Sequence, residues 1–234
     1  ENQRRAYLEG NWDALDEGLD EKGYIRLLND RELQAAIITS GTHSGYRILG
    51  VDPAAGGDKS SIVLKSGNYQ QVLFNQQLRD TMDLVSVVQD AYREWQCDMI
   101  VIDKTGVGQG VYDRLKQMEY SVRGISFGEK AEDEMFANLK AELHWKERKW
   151  ILSGGRLIQD YGWNEFEIVK YKNKDGKIAI QPKEELLREG IASPNVVDAA
   201  VLTQFVGDSA IKSARVLKTQ GNQFFDKTIE IWRG

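Results

Sequence analysis

Cysteine is nearly absent. The chain has only Cys97, and its histidines number two, His43 and His144. A single cysteine excludes an internal disulfide, and the three residues together exclude a Cys/His zinc cage. Cys97 precedes the apolar run Met99–Ile102 and is expected to be a small buried hydrophobe. Any metal site must therefore be built from oxygen ligands, which suits Mg²⁺ or Mn²⁺. No apolar run approaches the roughly 20 residues of a membrane helix, so no membrane partner is expected. No signal-peptide pattern is present and the sequence starts at Glu1 without Met, so it is expected to be part of something longer. A phosphate loop of the form Gly-x-x-x-x-Gly-Lys-Ser/Thr is also missing. Gly56-Gly-Asp-Lys-Ser60 imitates one, but Asp58 stands where the loop needs Gly. Positive charge is in deficit: 31 Lys and Arg against 36 Asp and Glu give a net charge of −5. That excludes broad attraction to nucleic acid and leaves only a local basic face for such a role.

What is present bounds a single domain with or without an appendage: 234 residues, 41% hydrophobic and 29% charged. The chain is organised around Tyr46–Leu64. Ile48, Leu49 and Val51 read as a buried strand ending on Asp52, where Pro53 stops pairing. Small residues at 54–57 turn the chain, and Ser61–Leu64 resumes a strand. A carboxylate at the end of a buried strand either caps the turn or holds a cation, because an unpaired buried charge costs several kcal/mol.

The pattern repeats downstream. Tyr69–Leu78 reads as a third strand, completing an antiparallel meander, and Asp80 caps a helix. Met99–Ile102 is a continuous apolar run of the kind covered on both faces, and it ends on Asp103 before a Gly-containing turn. A helix over 107–118, a strand over 122–127 and a long helix from Glu129 to about Trp150 follow, an order that implies parallel pairing. Asp175-Gly176 signals a hairpin between segments 166–173 and 177–182. Its register pairs Lys174 with Lys177 and Lys172 with Ala179, placing Lys170, Lys172, Lys174 and Lys177 on one face. That face is either a solvated edge or a DNA-binding surface; Lys146, Arg148 and Lys149 form a rival basic patch. Finally, Ser193 caps and Pro194 opens a helix whose apolar stripe, Val201, Leu202 and Phe205, includes Asp198.

Asp52, Asp103 and Asp198 thus stand as two strand-end carboxylates and one on the inner face of a helix. Three converging carboxylates repel unless cations sit between them, and two hard divalent ions would both relieve that repulsion and support phosphoryl displacement.

Four segments together resemble the nuclease domain of the large terminase subunit, the DNA-packaging motor protein of tailed bacteriophages. They are Gly50–Ser61, Ile102–Gly110, Phe136–Glu142 and Ser193–Ala200. The resemblance implies a ribonuclease H-like α/β fold: a mixed sheet of antiparallel meander and parallel βα units, with flanking helices and a β-hairpin. It implies a two-metal endonuclease acting on concatemeric double-stranded DNA with two Mg²⁺ or Mn²⁺ ions. Asp52, Asp103 and Asp198 would take the catalytic and metal-ligand roles, with Asp58 a further metal candidate. It also implies an ATPase domain, a small terminase subunit and a portal as partners, in the host cytoplasm. On this reading 1–45 is a linker from the ATPase domain, 46–206 the nuclease and 207–234 a C-terminal tail. Asn195 departs from the pattern, since many relatives have Asp there.

Competing readings are an actin-like or sugar-kinase-type ATPase, a junction resolvase and a non-catalytic packaging module. ATP binding, symmetric dimers cutting four-way junctions, and inertness with every divalent metal would favour each in turn.

Overall fold

The computed structural model describes residues 19–54 and 57–205. The expected tail and the first 18 residues, with Tyr7–Trp12, lie outside the described residues.

Seven strands form one mixed sheet in the order β2-β8-β5-β4-β3-β6-β7. Within it β3 (Arg47–Asp52) lies between antiparallel β4 (Ser60–Ser66) and parallel β6 (Met99–Asp103). β5 (Tyr69–Gln76) continues the meander, and β7 (Val122–Ile125) lies parallel to β6. β8 (Arg156–Ile158) and β2 (Ile37–Ile38) extend the β5 side by parallel pairing. A second sheet has three strands: β9 (Lys170–Lys174) lies between β10 (Lys177–Ile180) and β1 (Ile25–Arg26). This is the expected mixed sheet of antiparallel meander and parallel βα units, with the expected hairpin beside it.

Helices cover both faces. α1 (Asp30–Ala36) starts with a capping box between Asn29 and Glu32. α2 (Thr81–Glu94) is capped by Asp80, and α3 (Gly108–Gln117) follows the turn after β6. α4 (Leu139–Leu152), α5 (Lys183–Arg188) and α6 (Asn195–Leu202) complete the α-helices among the described residues.

Side chains alternate across the pleat. Leu49, Val51, Ile100 and Ile102 pack into one core with Leu84, Val88, Val111 and Leu115 of α2 and α3. Ile48 and Val101 pack into the other, under α4 and α6. Asp52 and Asp103 continue the parity of Ile48 and Val101, which assigns both to the α6 side of the sheet. All eight residues of α6 are buried. It approaches so closely that a Cβ on Gly50 would lie 1.9 Å from the Ala199 carbonyl oxygen.

A buried polar network fixes the far end of α6. Gln70 Nε2 donates to Glu147 Oε2 and to Thr203 Oγ1, both at 3.0 Å, and Gln204 Nε2 donates to Glu147 Oε2 at 2.7 Å.

Several expected boundaries change. The long helix expected from Glu129 begins only at Leu139, because Asn138 accepts from the Ala141 amide and caps it there. Residues 128–138 instead form a loop, pinned where Glu142 Oε2 accepts from the Glu132 amide at 2.7 Å. The strand expected from Phe166 begins at Lys170. Tyr161–Ile168 is a 3₁₀ helix that buries Trp163 and Phe166 as a stacked pair. Leu27, Leu28, Leu33 and Ala36 also belong to the core under α4 and α6. The hairpin register holds as read: Lys174 faces Lys177 and Lys172 faces Ala179. Positive φ at Asp175 and Gly176, 52° and 82°, matches the type I′ turn that sets it.

Candidate nuclease site

Asp52, Asp103 and Asp198 line one cavity of about 570 Å³, with Asp58, Lys140 and Lys183 among the other lining residues. Two of these carboxylates are strand ends. Parallel β3 and β6 terminate at the same level, the usual ligand position in an open α/β sheet. The third is brought over the sheet by the close seat of α6 on Gly50.

Each carboxylate has different surroundings. Asp103 Oδ1 accepts from the Thr105 amide at 3.0 Å and the Thr105 hydroxyl at 2.7 Å. The turn below is tight, since a Cβ on Gly108 would lie 1.9 Å from the Asp103 carbonyl oxygen. Asp198 faces two basic groups from α4. Lys140 Nζ lies 2.9 Å from both of its oxygens, with hydrogen-bond geometry to Oδ2. His144 Nδ1 lies 2.8 Å from the Lys140 carbonyl, which can only accept, so Nδ1 carries the proton. His144 Nε2 lies 3.4 Å from Asp198 Oδ1, and both atoms are buried without a hydrogen bond.

The electrostatics separate the acids. Burial raises Asp52 well above the usual carboxylate range, and the charges of Asp198 and Asp103 add to the effect against Lys140 and Lys183. Burial also acts to raise Asp198, but Lys140 and His144 outweigh it and hold the acid down at about 2. Of the two, Asp52 is the acid that gives up its proton less readily, and Asp198 is the one held ionised.

Asp58 sits on the rim. Its oxygens accept from Lys183 Nζ at 2.7 Å and Asn195 Nδ2 at 3.3 Å. Asn195 thus serves as a donor where a second carboxylate would have repelled Asp58. Among the described residues, no group of three His, Cys, Asp or Glu side chains is set to hold one metal ion. Asp52, Asp103 and Asp198 line the same cavity without forming one three-ligand group.

None of the four hairpin lysines lines the cavity. Lys174 and Lys177 are exposed. Lys170 pairs with Asp20 at 2.9 Å, and Lys172 lies 4.0 Å over the Tyr24 ring. The rival patch is dispersed: Arg148 is 4% exposed and pairs with Glu32 at 3.1 Å, while Lys146 pairs with Glu142 at 2.7 Å.

Sequence reasoning missed Lys140, His144, Lys183 and Glu165. The 140/144 spacing places two basic side chains one helical turn apart, the one signal available. Glu165 also replaces the expected cap of α6. Ser193 makes no side-chain cap and Pro194 is the N-cap; Glu165 Oε2 accepts from the Val196 and Val197 amides at 2.7 and 3.3 Å. Burial raises Glu165 to about 7 against those two bonds, with a further push from Asp198.

No family model matches the sequence, and no curated protein matches it. Solved structures do. The nuclease domain of the large terminase subunit gp2 of bacterial virus Sf6 matches at TM-score 0.68 and 17% identity, over 78% of this chain and 100% of that one. The fold is that of terminase nuclease domains. A K428A mutant of the Sf6 domain with manganese and beta-thujaplicinol matches at TM-score 0.69 and 16% identity, over 78% and 100% of the two chains. The large terminase nuclease from thermophilic phage G20c with bound magnesium matches at 0.56 and 14%, over 73% of this chain and 93% of that one.

Proposed function

We propose that this chain is a metal-dependent endonuclease that cuts concatemeric double-stranded viral DNA during genome packaging. One observation carries the reading: carboxylates from positions 52, 103 and 198 line a single cavity at the carboxyl edge of the sheet. Motif order, fold and the Mn- and Mg-bound states of the similar structures support it. The proposed context is the host cytoplasm, with the motor's ATPase domain, small subunit and portal as partners. Residues 46–206 would form the nuclease, 1–45 the approach from the ATPase domain, packed onto the nuclease core through Leu27, Leu28, Leu33 and Ala36, and 207–234 a tail.

The donor set fits hard divalent ions. It is all oxygen, and Asp198 Oδ1 is buried without a hydrogen bond. Asp52, Asp103 and Asp198 would hold two Mg²⁺ or Mn²⁺ ions, and Asp58 is the further candidate on the rim. Bound there, the ions would supply water activation and charge neutralisation at the scissile phosphate.

The chain's own residues do the rest. Asp52 would ligate as a carboxylate, against the burial and the charge of Asp198 that favour its protonated form; a bound cation would supply the charge that offsets both. Lys140 holds Asp198 ionised and ready. Thr105 orients Asp103 through two bonds to one oxygen. Lys183 presents an ammonium at the rim, where it can exchange Asp58 for a DNA phosphate. The hairpin lysines are the proposed grip on the duplex. Lys174 and Lys177 are its exposed pair, while Lys170 and Lys172 already hold Asp20 and Tyr24.

Incubation with supercoiled plasmid and Mg²⁺, Mn²⁺ or EDTA tests the reading. Nicking and linearisation with either metal, and none with EDTA, is the expected result. Intact plasmid under all conditions contradicts it.

A further inference from the structure

We propose that Glu165 is a positioning residue for Asp198, acting through the first turn of α6. The inference rests on the nuclease reading above. α6 must present Asp198 at a fixed rotation about its axis, and its amino end has no local means of holding that rotation. Pro194 offers no side-chain cap, and Ser193 contributes only its carbonyl, which accepts from the Asn195 amide at 3.0 Å. The Asp198 amide bonds the Pro194 carbonyl at 2.8 Å, so the Val196 and Val197 amides are left without a local partner.

Glu165 supplies it from another element. One oxygen accepts from both amides, at 2.7 and 3.3 Å, and Val197 is the residue immediately before Asp198. The carboxylate is itself held firmly. Its 3₁₀ helix is capped where Asp160 Oδ1 accepts from the Gly162 amide at 2.7 Å, and is anchored where Trp163 Nε1 donates to the Ile158 carbonyl at 2.7 Å. A second observation places the same element against the same turn. A Cβ on Gly162 would lie 2.8 Å from Val196 Cγ2, so the two helices touch at the residue Glu165 holds. The far end of α6 is fixed independently through Thr203, Gln204 and Glu147. Glu165 is therefore the control on the near end, where a small rotation would swing Asp198 away from Asp52. Partners that hydrogen-bond a metal ligand directly account for about 10–100-fold in metal affinity or activity, and Glu165, acting one residue away through the backbone, is expected at the lower end.

The test compares Glu165→Ala, Glu165→Asp and Glu165→Gln with the parent, well below each melting temperature. Mn²⁺ affinity by calorimetry, plasmid cleavage and amide hydrogen exchange at Val196 and Val197 are measured. Glu165→Ala should lose about 10-fold or more in Mn²⁺ affinity and in cleavage, with faster exchange at both amides. Glu165→Gln keeps a neutral acceptor at the same reach and should restore most of both. Glu165→Asp withdraws the carboxylate by one methylene and should resemble Ala even if the Ala variant fails to fold. Parent-like Mn²⁺ affinity and cleavage in folded Glu165→Asp overturns the proposal and leaves the nuclease reading standing. A parent protein that neither binds Mn²⁺ nor cuts overturns both.

Discussion

Gly50 and Ala199 are in direct backbone contact: a Cβ on the glycine would lie 1.9 Å from the alanine carbonyl oxygen. This contact sets the height of α6 above β3, and so the approach of Asp198 to Asp52. Gly50→Ala cannot be relieved by a rotamer change, because the obstacle is helix backbone. It should destabilise by at least the roughly 3 kcal/mol upper end of ordinary overpacking. Urea denaturation measures this. Parent-like stability would mean that α6 does not sit as described.

Metal should register as stability. A ligand bound only by the native state adds RT ln(1 + [L]/Kd), about 2.7 kcal/mol at 100-fold saturation. The melting temperature should rise with millimolar Mn²⁺, and Asp103→Asn should abolish the rise. A rise undiminished in Asp103→Asn would remove Asp103 from the metal site.

Much of the site could be read before the structure, because two buried strand runs end abruptly in Asp52 and Asp103. The hairpin register was legible for an equally local reason, the Asp175-Gly176 turn. What escaped was tertiary. Lys140 and His144 matter only because α4 lies against α6. The loop at 128–138 has helix-compatible residues, but Asn138 starts α4 late and Glu142 turns back to bind Glu132. No local pattern announces that Glu165 caps a helix about 30 residues away in sequence. Nor does the alternation of lysines show that Asp20 and Tyr24 lie across Lys170 and Lys172.

The hairpin lysines should therefore divide by function. Lys174→Glu with Lys177→Glu should weaken DNA binding for any sequence and flatten its salt dependence, by about 0.9 in log–log slope per lost phosphate contact. Mn²⁺-induced stabilisation should persist. Lys170→Glu should lower stability, because it faces Asp20 with a like charge. Filter binding across a salt series decides; an unaltered slope in the double mutant removes the hairpin from the DNA site.

The pH dependence of stability should carry a contribution from Glu165. Its folded value of about 7 lies above the ordinary 4.5. A group raised in this way contributes stability that is fully present below pH 4.5 and is lost as pH rises through 7. The loss is on the order of 3 kcal/mol by linkage. Glu165→Gln, permanently neutral, should gain on the parent from pH 5 to about pH 7 and level off above that. Parallel stability curves across that range would contradict the shift.

Plasmid cleavage by Asp52→Asn, set beside the parent in Mn²⁺, tests the central claim most directly. Asp52 lines the cavity, and burial and its acidic neighbours favour its uncharged form, so an uncharged amide there costs the fold little. The expected result is a variant that melts no lower than the parent and leaves the plasmid intact while the parent cuts it. Cutting by the variant at the parent's rate would contradict the account.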